Sequence, residues 1–403
     1  MTSNKKATSI IFATVLMDMI GMTIVLPALP LYVEKFSTST LTIAVVYSIF
    51  AACAFLGGPI LGSLSDRYGR KPILVISIFG AVAGWVVFAL ATNIWMVFFS
   101  RVIAGLTAGN ISVAQSYLTD ISTDSKDRAL KLGLIPTAIG IGFVTGPAIG
   151  GLLTKISDVL PFWFTAVLGL LNGLAAMKFL PESIAKKQKD AHIELNPFKT
   201  LWYGLTHRKY RTLILLLLAT SMSFESYHST FILFLSRRFG FDVTAAGLLL
   251  TVIGIMIAIN QLVLMKNFWL KRFKPYRIQV IAAFALVILF FLATSTNVRV
   301  FLPILVMLGL MEGTLTVING SELSGSAEEH ERGKIIGVSH ALIAISQVIA
   351  PIISGYFMGN YINAPWLISM FWMIIVCTIL IVKKKRLTHA PLDFSGRNEL
   401  ENI

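Results

Sequence analysis

Five ionisable side chains, Asp18, Arg101, Glu225, His228 and Glu312, interrupt stretches that are otherwise apolar, and they are the residues best placed to do chemistry. A charge inside such a stretch is costly, so it needs a partner, a wet cavity or a function. Counting about 1.5 Å per residue along a helix puts Asp18, Glu225 and Glu312 near the middle of their stretches and Arg101 nearer one end. Burial disfavours the charged form of a carboxyl group, so acids placed this way can take up a proton and return it as their surroundings change. Proton coupling is therefore the chemistry these five residues suit. Glu225 and Glu312 are the expected carriers in the C-terminal part of the chain, and Asp18 is the alternative. Asp18 and Arg101 either pair, which holds Asp18 ionised, or Arg101 anchors its stretch to backbone carbonyls of the first. His228 follows Glu225 by three residues on one helix face, beside Phe224, Tyr227 and Phe231, and reads either as a packing histidine or as a relay. Glu312, Thr316 and Asn319 recur at helical spacing, a polar stripe suited to a cavity wall.

The elements that must hold these residues are membrane helices. The 403 residues are 56% apolar and 13% charged, with a mean hydropathy of +0.77, which excludes an ordinary soluble domain. Twelve apolar runs, the first over 8–31 and the last over 364–382, are each long enough to cross about 30 Å of hydrocarbon. The first follows Lys5 and Lys6, but it is too long for a signal peptide, holds Asp18, Pro27 and Pro30, and lacks a small-residue cleavage site, so it reads as a retained span. Of the 34 Lys and Arg residues, 28 fall at the N-terminus, in the even-to-odd loops and in the tail. The positive-inside rule then puts both termini in the cytoplasm, and the net charge of +14 reports topology, with no nucleic-acid partner. Cys53 and Cys377 lie in apolar runs far apart, so neither a disulfide framework nor a metal site is suggested. No Walker sequence is present, and the glycine-rich segments lie inside spans, so no nucleotide cofactor is expected.

The organisation follows as an N-terminal six-helix bundle over 1–182, a basic linker over 183–211, a second bundle over 212–384 and a tail over 385–403. The halves repeat at an offset of 204 residues: Asp127, Arg128 and Gly133 return as Glu331, Arg332 and Gly337, Pro147 as Pro351, and Gly151 as Gly355. Parallel six-helix repeats build transporters with a central cavity between two bundles. The fifth run also carries Gly133, Gly142, Gly146, Pro147, Gly150 and Gly151, where glycines four apart share one face and let a neighbouring backbone approach. Pro147 removes one helical hydrogen bond and bends the segment.

Between runs two and three lies Gly62 to Pro72, Gly-Ser-Leu-Ser-Asp-Arg-Tyr-Gly-Arg-Lys-Pro. Gly62 and Gly69 permit tight turns, and Asp66, Arg67, Arg70 and Lys71 set one anion among three cations. This stretch resembles, at every position, the loop between helices two and three of the major facilitator superfamily of secondary transporters. The glycines of the fifth run resemble the motif of its drug/proton antiporter branch. Asp18, Gly21, Pro27, Leu29 and Pro30, with Arg101 and Gly105, are similar to tetracycline/proton antiporters and related multidrug pumps. The resemblance implies an all-α membrane protein of twelve helices in two six-helix bundles, and a secondary antiporter in a bacterial inner membrane, with no enzymatic activity. It would export a small amphiphilic molecule while protons flow inward, with the proton gradient in place of a cofactor. Its partners would be substrate, protons and bilayer, and a monomer is expected. Asp66 and its neighbours would lock the cytoplasmic gate against Asp120 and the start of span eleven. The alternative function is transport of an anionic metabolite such as a carboxylate siderophore, with Arg101 and His228 as cationic contacts.

Overall fold

The computed structural model describes residues 3–184, 206–326 and 332–389. Most of the proposed linker, Glu331 of the repeat and the tail from 390 lie outside them.

Among the described residues, eleven helices are long and apolar enough to cross a membrane. They are Lys5–Val33, Thr40–Tyr68, Arg70–Ala89, Ile94–Asp120, Ser125–Thr154, Leu160–Phe179, Val243–Arg272, Pro275–Leu292, Val298–Leu323, Ile335–Asn360 and Ala364–Lys383. The seventh of the twelve spans crosses as two pieces, Arg208–His228 and Phe231–Phe239. At the junction Ser229 Oγ donates to the Glu225 carbonyl at 2.8 Å and Thr230 Oγ1 to the Ser226 carbonyl at 3.3 Å, and hydroxyls that bond back in this way bend helices. Span four is also broken, into Ile94–Leu106 and Asn110–Asp120, and span eight winds as a π-helix over Asn260–Trp269. Side-chain caps start several spans near the membrane surface: Asn93 accepts from the Met96 amide at 3.1 Å and Asp242 from the Ala245 amide at 2.7 Å.

Inside the N-terminal half, span five lies along span one. A methyl group at Gly142 would come within 2.7 Å of Met19 Cβ, while one at Gly146 would strike Thr23 and one at Gly150 the Ile24 carbonyl. Those three glycines therefore set how close the two backbones lie, and Thr23 Oγ1 donates to the Gly142 carbonyl at 2.8 Å. Gly151 turns instead to span eight of the other half, where Thr244 Oγ1 donates to its carbonyl at 2.7 Å. Gly133 plays no part in this packing; it ends a short surface helix, Ser125–Leu132.

The halves meet along two seams, span two on span eleven and span five on span eight. Gly355, the repeat partner of Gly151, lies against Thr40 and Ala44 of span two, so the offset of 204 residues is a spatial two-fold relation. Buried apolar residues distribute unevenly across the bilayer. On the face opposite the basic loops one cluster joins both halves, with Leu29, Tyr32 and Val46 from one and Phe234, Phe301 and Trp366 from the other, and within the C-terminal half it continues to Trp269, Ile278 and Leu380 at the basic end. Toward the basic loops the cores are separate, Leu74, Val113 and Tyr117 in one half and Tyr210, Ile335 and Leu342 in the other. The bundle is thus closed at the opposite face and split toward the basic one.

Candidate functional site

The break in span seven ends its first piece with Glu225, Tyr227 and His228. Tyr227 points its hydroxyl at Glu312 of span ten and donates a short hydrogen bond to Oε2. The His228 Nε2 lies 3.4 Å from the same oxygen, and the Tyr227 and His228 rings are 4.2 Å apart. Glu225, one turn earlier, accepts from Gln347 Nε2 of span eleven at 3.3 Å. Three helices therefore converge on two carboxylates, of which Glu312 is the more deeply buried, at 7% exposure. An acid surrounded by a phenol and an imidazole can exchange a proton over short distances or hold a cation, but not both at once.

The aromatic residues expected to line a cavity are walls behind this site. Phe224, Tyr227 and Phe231 are buried, and Tyr227 stacks on Trp366 with ring centres 5.2 Å apart. The polar stripe of span ten divides. Thr316 is exposed, whereas Asn319 is buried, donates to Thr220 Oγ1 at 3.2 Å and accepts from Gln279 at 2.9 Å, bridging spans seven and nine.

In the N-terminal half Asp18 and Arg101 are not paired. Asp18 Oδ1 accepts from Asn110 Nδ2 at 3.0 Å, and the Arg101 guanidinium carbon lies 4.2 Å from the Trp85 ring centre and 4.5 Å from that of Phe88. Asn110 opens the second piece of span four, directly after the break at Thr107–Gly109, whereas Arg101 belongs to the first piece.

At the basic face the charged loop forms a clasp within one half. Arg70 lies 2.6 Å from Asp66 and 2.9 Å from Asp120, and its Nη1 donates to Ser65 Oγ at 2.6 Å. Charge-assisted bonds of this kind are the strong ones. Gly69 has a φ of 114°, a left-handed value that suits glycine, and a side chain there would strike the Glu182 carboxylate. Gly62 is under no such constraint, and Arg67 is exposed over the Tyr68 ring at 5.6 Å. Glu182 is a member that the sequence did not reveal. It caps span three from the end of span six, accepting from the amides of Arg70 at 2.9 Å and Lys71 at 3.3 Å. Ser183 adds a hydrogen bond to Asp120 at 3.0 Å. The side chains at the start of span eleven, the other expected partner of the gate, lie outside the described residues.

At the opposite face Arg237, in the last turn of span seven, reaches across the halves. Its Nη2 donates to Glu34 at 2.7 Å and to the Thr38 carbonyl at 3.1 Å, and its Nη1 donates to Thr40 Oγ1 at 2.8 Å. This latch was also invisible in the sequence, where Glu34 and Arg237 lie 203 positions apart in short loops. Its only signal was the scarcity of cations on that side.

A family model described as the Major Facilitator Superfamily matches residues 11–318 and 213–399. The chain is 30% identical over 359 residues to the class C tetracycline resistance protein of Escherichia coli, covering 88% of this chain and 89% of that one. It is 29% identical over 377 residues to the class H protein of Pasteurella multocida, covering 90% and 91%. It is 27% identical over 387 residues to multidrug resistance protein 1 of Bacillus subtilis, covering 93% and 96%. Among solved structures, a nucleoside transporter superposes with a TM-score of 0.77 at 15% identity, covering 93% of this chain and 99% of that one. A bacterial homolog of the human lysosomal transporter Spinster, inward-facing and unoccupied, superposes with a TM-score of 0.74 at 15% identity, covering 97% and 99%. Twelve spans in two repeated bundles, the charged loop after span two, the glycine face of span five and these matches lead to one assignment: the chain belongs to the major facilitator superfamily of membrane transporters, in the branch of the tetracycline and multidrug resistance proteins.

Proposed function

We propose that this protein exports a small amphiphilic molecule in exchange for protons, by alternating access across a bacterial inner membrane, as a monomer with both termini in the cytoplasm. The observation that carries the reading is the buried Glu312, bonded by Tyr227 and flanked by His228, with Glu225 one helix turn away. A cationic substrate arriving from the basic face favours the ionised acids, and a proton must leave to make room. Reloading with a proton removes the charge that would otherwise have to be closed over, which lowers the cost of sealing the empty cavity. The Arg237–Glu34 latch holds the opposite face shut during loading, and in the other half of the cycle the loop that carries the Arg70 clasp meets the start of span eleven to seal the basic face.

The relatives' names support a drug-like substrate class, since several are resistance proteins for tetracycline or for many drugs. The deciding experiment is uptake of fluorescent cationic drugs and of tetracycline into everted vesicles, with and without an imposed pH gradient. Uptake that follows the gradient and collapses with an uncoupler is the expected result. Uptake of carboxylate chelators alone would instead establish the anionic-metabolite alternative.

A further inference from the structure

Span eight changes its winding where it leaves the seam between the halves. Its first part, Val243–Ile259, is α-helical and wedged on span five, so that a methyl group at Gly247 would strike the Pro147 carbonyl and one at Gly254 would come within 3.2 Å of the Phe143 carbonyl. Toward the basic face the seam opens. A methyl group at Gly140, about two turns before Pro147 on span five, would meet nothing within 4 Å. The basic part of span eight, Asn260–Trp269, is the π-helix, and the Leu270 amide that follows it donates to the Met265 carbonyl, five residues back. Such winding is rare and is found mostly at functional sites.

The three buried residues of the segment, Asn260, Met265 and Trp269, follow the π winding. Bonding to the fifth residue gives about 4.4 residues per turn, so positions nine apart share a face, whereas at 3.6 per turn they lie on opposite faces. Trp269 Nε1 donates to Asn260 Oδ1 at 3.1 Å across those nine residues, a bond that needs the π form. Thr314 Oγ1 of span ten, two residues past Glu312, donates to the same oxygen at 3.2 Å. Asn260 is fully buried, yet its Nδ2 has no hydrogen-bond partner among the described residues, which leaves this arrangement short of one bond.

An α winding would turn different residues toward span five. Gly247 and Met265 are eighteen residues apart, which is five α-helical turns, so Met265 would join the face on which Gly247 and Gly254 meet span five, with Trp269 close to it. Counted through the π segment, it is the next residue, the exposed Lys266, that completes about five turns from Gly247. We propose that the basic part of span eight is a switch in winding. It is π while the basic face is split, presenting Lys266 to the opening, and α once that face seals, presenting Met265 and Trp269 to span five as an apolar closure. Asn260 is the catch that holds the π form. The exchange removes a charge from the seam as it dries and replaces it with apolar area. The switch rests on alternating access between the halves and on no property of the cargo or the coupling ion.

The test is cross-linking in the purified full-length protein with Cys53 and Cys377 replaced by serine. Pro136→Cys, exposed and three turns before Pro147 on the same face of span five, is paired with Met265→Cys or with Lys266→Cys and treated with a short bismaleimide. Asn260→Ala removes the catch, and Glu34→Gln with Arg237→Ala opens the latch at the opposite face. In each background the Met265 link is expected to form about two- to fivefold faster than in the parent, while the Lys266 link does not gain. Asn260→Asp, which keeps the accepting oxygen, should stay near the parent rates. Rigid rocking that keeps the π form would speed the Lys266 link instead, and that result overturns the proposal. An unchanged Met265 rate in Asn260→Ala overturns it equally. Should size exclusion show that Asn260→Ala does not fold, Trp269→Phe removes the donor of the same bond and is read in the same way. Vesicles that take up no drug while the Met265 link responds would refute the export reading and leave the switch standing.

Discussion

Spans five and eleven occupy matching places in the two halves, yet they pack on their neighbours in different ways. Span five lies on span one through Gly142, Gly146 and Gly150, and a side chain at Gly146 would strike Thr23. Span eleven lies on span seven, and Ser346, Ala350 and Ser354 stand at the equivalent positions, fully buried with room for their side chains. Close backbone contact leaves little space for chemistry between two helices, whereas the looser seam admits Gln347, which reaches Glu225 across it. The comparison teaches a division of labour. The N-terminal half is a tightly wedged frame with a charged clasp at its basic end, and the C-terminal half places its acids where helices stand far enough apart to hold them. At the basic end of the second half, Glu322 is bonded by Lys383 and Gln279, linking spans ten, twelve and nine, which fastens that bundle without the charged loop of the first.

The largest expected effect tests the assignment of chemistry to the second half. Glu312→Gln keeps the size of the side chain and removes the one titratable carboxyl that Tyr227 and His228 both contact. Substrate-induced proton release from solubilised protein, followed between about pH 6 and 9, should disappear, with Glu225→Gln reducing it less. Release at wild-type levels in both variants would move coupling to Asp18 and erase the distinction between the halves.

Next comes the clasp. Arg70→Ala leaves Asp66 and Asp120 unpaired at a partly buried site, a change that typically costs about 3 to 5 kcal/mol when the pair is fully buried and less here. Transport should fall by about tenfold or more while membrane insertion persists. Glu182→Gln should produce the same phenotype in weaker form, since it loosens the cap of span three without removing a charge partner of Arg70. Cysteine accessibility at the basic mouth is the measurement, and a Glu182→Gln profile identical to wild type would exclude it from the clasp.

A smaller effect tests the wedge directly. Gly146→Ala should destabilise the protein by about 1 to 3 kcal/mol through overpacking against Thr23, while Ala350→Gly, at the matching site, should cost about 1 kcal/mol. Thermal unfolding in detergent compares them. Equal losses would mean that the two seams are packed alike after all.

The smallest effect belongs to the latch. Arg237 and Glu34 are both partly exposed, so Arg237→Ala should shift the balance toward the state open at the opposite face by about 1 kcal/mol or less. Exchanging the charges, with Glu34→Arg and Arg237→Glu together, should recover part of the wild-type distance distribution between spin labels on spans two and eleven. Recovery failing in the double variant while each single variant shifts the balance would show that Thr38 and Thr40 carry the contact, not the carboxylate.

Much of this was legible from the residues in order. Hydrophobic length determined the twelve spans, alternating loop charge determined which ends share the basic face, and the offset of 204 residues determined that there are two like halves. The glycine face of span five was readable because spacing of four fixes a helix side before any neighbour is known. The acids were readable as well, since a carboxylate in an apolar run needs an account wherever it lies. What only the tertiary structure decided was partnership. Asp18 meets Asn110, at the start of the second piece of span four, and not Arg101 of the first, and Glu312 meets Tyr227, next to the end of the first piece of span seven. Glu182 and Arg237 gain their roles from residues more than a hundred positions away. Periodicity and composition are local quantities and survive in the chain as written, but the partner of a side chain depends on how one helix is rotated against another, which is set only when the whole bundle is packed.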